Sequence, residues 1–190
     1  VSVTTGTTFE KRIASSTDDA EQGRSGGMDL IGTNLDMVFD GTKIQTVGMR
    51  FAGVDIPYDA VITSAYIQFQ AQNTSTGAVS LLIRGENSDE SVVFENDTSD
   101  ITSRPMTNAS VTWTPADWTA NNEAGLAERT ADISAIVQEI IGRSGWLTLN
   151  DMAFVVSGSS GERRANSFDG SSTGAPLLHI EYYVPTTGPV

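Results

Sequence analysis

The sequence predicts an all-β domain: an antiparallel two-sheet β-sandwich, jelly-roll-like, with one short helix. Three observations carry this expectation. Apolar and polar residues alternate at period two through most of the chain. Abundant Ser and Thr, with 18 glycines, suit strands and turns better than helices. A single segment, 132–142, has a helical period. The 190 residues are enough for one substantial core and few for two. No repeat of roughly 20–50 residues stands out, which argues against a propeller or solenoid.

The elements follow in chain order. Strands are expected over 9–14 and 35–39. Next, Val47, Met49 and Phe51 alternate with Gly48, Arg50 and Ala52. The clearest strand is 60–71, where Ala65, Ile67, Phe69 and Ala71 point one way and Tyr66, Gln68 and Gln70 the other. Over 79–84, Val79, Leu81 and Ile83 face inward, with Ser80 and Arg84 outward. Met49, Phe51, Ala65, Ile67, Phe69, Val79, Leu81 and Ile83 are expected to share one core. The polar, acidic stretch 85–108 reads as a long loop with at most a short edge strand. Strands return at 110–113, 152–157 and 177–183. Turn signals separate them at Asp40-Gly41, Ile56-Pro57, Thr76-Gly77 and Asp169-Gly170. In the helical segment, Ile133, Ile136, Val137, Ile140 and Ile141 fall on one face. Asp132 is the expected N-cap and Gly142 the left-handed stop.

Charge excludes whole classes of function. With 11 Lys and Arg against 24 Asp and Glu, the net charge is -13, so nucleic acid is not an expected partner. No apolar run approaches the roughly 18 residues of a membrane span. Cysteine is absent, which removes disulfides, thiol nucleophiles and thiolate zinc sites. His179 is the one histidine and so the one candidate base of a Ser/His pair. Gly170-Ser171-Ser172-Thr173-Gly174 matches the esterase pattern G-x-S-x-G, but Pro176 and a strand follow where that pattern needs a helix. No carboxylate lies between Ser172 and His179, and no acid pair can be singled out for glycoside hydrolysis. The chain therefore reads as non-catalytic. The sequons at Asn73, Asn96 and Asn108 are chance matches in a Ser/Thr-rich chain.

Two constellations suggest binding. Asp18, Asp19 and Glu21 crowd three carboxylates into four residues, and Asp36 lies on the next expected strand. Hard oxygen ligands at this density suit a structural Ca²⁺ assembled from separate segments. Strand alternation sends Asp19 and Glu21 together and Asp18 the other way. The second set is Arg50, Tyr66, Gln68, Gln70 and Arg84, the outward residues of neighbouring strands. Arg and Gln hydrogen bonds beside a Tyr stacking surface suit a hydroxylated or acidic chain. Among the tryptophans, Trp113 reads as core and Trp146 as a plug after the helix. Trp118 reads as the exposed one, a candidate sugar platform.

Several stretches resemble DNRLRE-type β-sandwich modules. Val47-Gly48-Met49-Arg50-Phe51 and Ile62-Thr63-Ser64-Ala65-Tyr66-Ile67-Gln68-Phe69 resemble their opening Arg-Phe and Ile-x-x-Ala-x-Leu-x-Phe strands. Val111-Thr112-Trp113 resembles their Val-Thr-Trp strand, and Asp132-Ile133 their helix start. Arg164-Ala165-Asn166-Ser167-Phe168-Asp169 and Ala175-Pro176-Leu177-Leu178-His179-Ile180-Glu181-Tyr182 resemble their closing strands. The order is kept from about residue 10 to 184, and the acidic insert at 85–108 departs from it. The resemblance implies a jelly-roll-like module of a large secreted bacterial protein, often beside polysaccharide-degrading domains. It also implies the structural Ca²⁺ common in carbohydrate-binding modules of this shape. The expected function is thus a non-catalytic carbohydrate-binding module, with polysaccharide and other domains of the same chain as partners. The alternative is a structural or adhesive spacer. Val1-Ser2-Val3 shows no leader pattern, and 185–190 reads as a Thr/Pro linker after a single domain over 1–184, which fits a piece of a multidomain chain.

Overall fold

A computed structural model describes residues 6–186. The start of the chain at Val1-Ser2-Val3 and most of the expected linker lie outside the described residues. The strands are β1 (Thr7–Arg12), β2 (Asp19–Gly23), β3 (Met28–Asp29), β4 (Asn34–Asp40), β5 (Lys43–Phe51), β6 (Val61–Gln68), β7 (Leu81–Glu86), β8 (Met106–Trp113), β9 (Met152–Gly158), β10 (Glu162–Asn166) and β11 (Leu177–Tyr183). The helix α1 (Ser134–Ile141) precedes β9. No helix among the described residues is long and apolar enough to cross a membrane.

The strands form two antiparallel sheets, consistent with the expected β-sandwich. The smaller has the order β1-β11-β6. The larger has the order β10-β4-β5-β9-β7-β8, with β2 paired to β5 and β3 paired to β2. Residues 47, 49 and 51 on β5, 81 and 83 on β7, and 152, 154 and 156 on β9 point inward at strand period. They meet Ala65, Ile67, Phe69, Leu178 and Ile180 from the smaller sheet. All eight residues expected to share a core do so. The rings of Phe69 and Trp113 stack at 5.6 Å between centroids. Helix α1 closes one end of this core with Ile136, Val137, Ile140 and Ile141. It can approach β7 closely because Gly85 has no side chain; a Cβ there would lie 2.6 Å from Ile140 and 2.7 Å from Ile136.

The helix termini differ from expectation. Ile133 occupies the N-cap position, and Asp132 acts from one residue earlier: its carboxylate accepts from the Ser134 N–H and hydroxyl and from the Ala65 N–H. Asp132 therefore ties the helix to β6 rather than capping it alone. Gly142 is right-handed, at φ -74°, because the chain turns on through Arg143 N–H to Ile140 C=O and Trp146 N–H to Arg143 C=O. Trp146 does plug this end, buried and donating its indole N–H to Ile56 C=O.

Strand β2 is not among the strands expected in chain order. Its five residues, Asp-Ala-Glu-Gln-Gly, carry no apolar alternation, and pairing to β5 makes them a strand. Of the expected loop 85–108, the middle, 87–105, is a loop, while its ends belong to β7 and to the eight-residue strand β8; the loop is not a solvated excursion. It folds back over the outer face of the large sheet. Phe94 and Ile101 pack there on Ala20, Ala153 and Val155 in a second apolar cluster. Gly48 permits this, since a Cβ would stand 2.6 Å from the Phe94 ring.

Candidate functional site

The outer face of the large sheet is built from the residues that alternate with the core. On β5 these are Thr46, Gly48 and Arg50; on β9 Ala153, Val155 and Ser157; on β7 Leu82 and Arg84. Loop 87–105 covers the part around Gly48 and Ala153. Arg104 holds the loop in shape by donating to the Glu86 and Asp100 carboxylates and to the Val92 and Val93 carbonyls. Its guanidinium also lies 4.3 Å from the Phe94 ring centre. Gln22 on β2 fastens the loop to the sheet: its Nε2 donates to Thr102 Oγ1 at 2.7 Å, and its Oε1 accepts from the Thr102 N–H at 2.9 Å.

Beside the loop the face stays open as a groove of three adjoining depressions. The first, about 250 Å³, lies over Leu82, Arg84, Met106, Val155 and Ser157. It shares Thr46 and Thr102 with the second, about 440 Å³, which runs past Gln22 and Ser99. The second shares Gly23, Arg24 and Ile44 with the third, about 330 Å³, which ends at Thr42 and Lys43. None of the lining residues is aromatic, and none is Asp or Glu. Arg24, Lys43 and Arg84 are exposed in it. At the rim, Ser99 (φ 66°) and Gly26 (φ 91°) both take the left-handed region, joined by Ser99 N–H to Gly26 C=O. Two loops thus meet in a fixed geometry over one wall.

The outward residues singled out in the sequence do not form one face. Arg84 lies in the groove. Arg50 is on the same sheet face but is consumed under loop 87–105, paired with Asp18 and Asp151 and donating to Ser91 C=O. Tyr66 and Gln68 belong to the smaller sheet, on the opposite side of the molecule. The Tyr66 ring is covered on both faces, stacked on His179 at 4.4 Å with the Arg129 guanidinium 4.0 Å from its centre. Gln68 is bonded to Phe69 C=O, Gly125 C=O and Arg129. Gln70 reaches Asn122 C=O and Asn166.

Trp118 requires a correction: it is fully buried, not exposed. Its backbone pairs with Ser75, its ring sits 6.4 Å from Phe69, and its N–H donates to Ala127 C=O. The neighbours Pro115, Ala116 and Asp117 in sequence suggested a surface loop, but that loop folds inward over the core. Trp113 is core, as expected.

The four acids separate as strand alternation requires. Asp18 faces outward to Arg50. Asp19 and Glu21 face inward together, buried, each accepting one backbone N–H, from Phe168 and Asp36 respectively. The Asp36 carboxylate accepts from Arg164 at 2.5 Å and from Asn34 at 2.6 Å. Burial pushes Asp19 up to about 7 and Glu21 up to about 8, and neighbouring carboxylates add to both shifts. Burial also raises Asp36, against the opposing pull of Arg164. Among the described residues no three acids gather around a common point at metal-binding distance. Ser172 sits in the turn before β11, and His179 is bonded to Glu10 and Glu181.

The groove was missed because its residues come from segments far apart in sequence. The one signal was Arg84, read as outward from its strand period. Neither a scan against protein-family models nor a search of curated proteins returns a match to this chain.

Proposed function

We propose that this chain is a non-catalytic carbohydrate-binding module of a secreted protein that acts on polysaccharide, and that the groove over β2, β5, β9 and β7 is its binding site. The observation that supports this is the groove itself. It is open along its length, crosses several strands and carries hydroxyls, two guanidinium groups and a lysine around an apolar floor of Ile44, Leu82, Met106 and Val155. Such a surface suits an extended hydroxylated chain, whose many weak hydrogen bonds add along its length. Affinity electrophoresis through gels holding neutral and acidic polysaccharides tests it. Retardation by at least one, abolished in Ser157→Trp with the melting midpoint kept, is the expected result. No retardation by any gel would leave the module as a spacer.

The spacer reading has its own support. The groove has no aromatic platform, the tryptophans are all buried, and both faces of Tyr66 are occupied. Binding without stacking is correspondingly weak, so the electrophoresis needs high polysaccharide loading.

We also propose a structural Ca²⁺ at the inward acids. Asp19 and Glu21 fit a hard cation in kind, since neither carboxylate has a basic partner among the described residues. Asp18 and Asp36, held by Arg50 and Arg164, fit less well, so backbone carbonyls would have to complete the shell. A hundredfold excess of Ca²⁺ over its Kd would stabilise the fold by about 2.7 kcal/mol. An unchanged melting midpoint with Ca²⁺ and with chelator would remove calcium from the account.

A further inference from the structure

We propose that the ligand of the groove is an anionic polysaccharide, a chain bearing carboxylate or sulfate groups, gripped by Arg84, Arg24 and Lys43. This rests on the reading of the groove as a polysaccharide site and adds the charge class of the chain.

The argument begins with how the cations are used. Of the 11 basic side chains, set against 24 acidic ones, five pair with a carboxylate among the described residues. Arg50, Arg104, Arg143, Arg163 and Arg164 do so. Lys11, Arg12 and Arg129, outside the groove, have no salt bridge among the described residues, and neither do Arg24, Lys43 and Arg84, which line it. These last three are held apart along a groove whose lining contains no Asp or Glu, although Asp40 on β4 stands opposite Lys43 at its end. With acids more than twice as common as bases, a surface assembled without regard to charge would have placed acids there.

The spacing suits a linear polymer. Arg84 lies in register with Val155, and Val155 with Gly48. Arg24 donates its N–H to Ile44 C=O, beyond Gln22 opposite Thr46. From strand spacing and rise, Arg84 and Arg24 stand about 20 Å apart on a diagonal. That span takes several sugar units, and each cation meets a different one. Hydroxyls of Thr46, Thr102 and Ser157 lie between them and suit the sugar hydroxyls. Arg24 and Arg84 can each grip a carboxylate or sulfate through two N–H groups, while Lys43 acts as a point charge.

Net charge makes the groove selective. A polyanion is repelled by most of a surface carrying -13. At physiological salt that repulsion is screened beyond about 8 Å, so the local cations decide where a chain settles. Single-stranded nucleic acid is the poorer candidate, because no aromatic side chain lines the groove to stack a base.

The experiment compares dextran, dextran sulfate and polygalacturonate in affinity gels and in titrations. Dextran and dextran sulfate share one backbone and differ in charge. Retardation by dextran sulfate or polygalacturonate, without retardation by dextran, is expected; whichever polyanion retards identifies sulfate or carboxylate. Three charge contacts give a log–log salt slope of about -2, hence about tenfold or greater weakening from 50 to 200 mM NaCl. The triple variant R24Q/K43Q/R84Q should lose retardation while melting at the unchanged midpoint. Equal retardation by dextran and dextran sulfate, or retardation that survives the triple variant, overturns the charge class and leaves the groove site standing. Failure with every polysaccharide, charged or neutral, overturns both. Equal retardation by single-stranded DNA shows adhesion to any polyanion and also overturns the proposal.

Discussion

Asp19 and Glu21 project from the same side of β2 into a buried space, with no Lys or Arg paired to either among the described residues, and that position has a measurable consequence. Their carboxyls titrate near 7 and 8 in the folded protein, well above the unfolded range near 4. Between those limits the folded state holds protons that the unfolded chain has released. Their contribution to stability is therefore fully present below about pH 4 and is lost as pH rises through 7 and 8. Each group weighs on the order of 1 kcal/mol per pH unit within its window. Melting midpoints measured from pH 5 to 8.5 without divalent cations should fall, and the fall should flatten in D19N/E21Q. A midpoint that rises over that range would contradict the burial of these acids.

Other single residues divide by how local their signals were. Phe69 was readable because its strand alternates cleanly, and Phe69→Ala should cost roughly 3–5 kcal/mol in chemical denaturation. A loss under about 1 kcal/mol would mean the strand faces are reversed. Trp118 was misread because nothing within a few residues of it announces burial. The partners that enclose it, Ser75, Phe69 and Ala127, come from three separate segments.

At the scale of elements, loop 87–105 is the part whose role the sequence concealed. Its acidic composition suggests solvation, yet Phe94 and Ile101 anchor it on the sheet and Arg104 organises it from within. Removing one partner of a buried charged pair typically costs 3–5 kcal/mol. Arg104→Ala should approach that loss and speed amide exchange across the loop more than in β9. Because Thr102 forms a wall of the groove, the same variant should weaken polysaccharide retardation. Exchange that stays slow in the loop would show that Phe94 and Ile101 suffice to hold it. Strands with period-two apolar residues, such as β6, β7 and β11, were legible. β2 and β10 were not, because polar sequences become strands there only through their neighbours β5 and β4. Helix α1 was legible from its isoleucine stripe, and only its caps differed.

For the molecule as a whole, the two-sheet architecture follows from summed local patterns, while the groove does not. It is assembled from β2, β5, β7, β9 and two loops that meet at Gly26 and Ser99. Its distinguishing property is the absence of acids, which shows only once the surface is folded. The central claim is that polysaccharide binds in this groove. The most direct measurement is an amide NMR titration of the ¹⁵N-labelled protein with polygalacturonate or dextran sulfate oligomers. The account predicts shifts concentrated at Gly23, Arg24, Ile44, Thr46, Arg84 and Ser157, with Tyr66 and His179 on the smaller sheet unmoved. Shifts centred on the smaller sheet, or none at saturating oligomer, would contradict it.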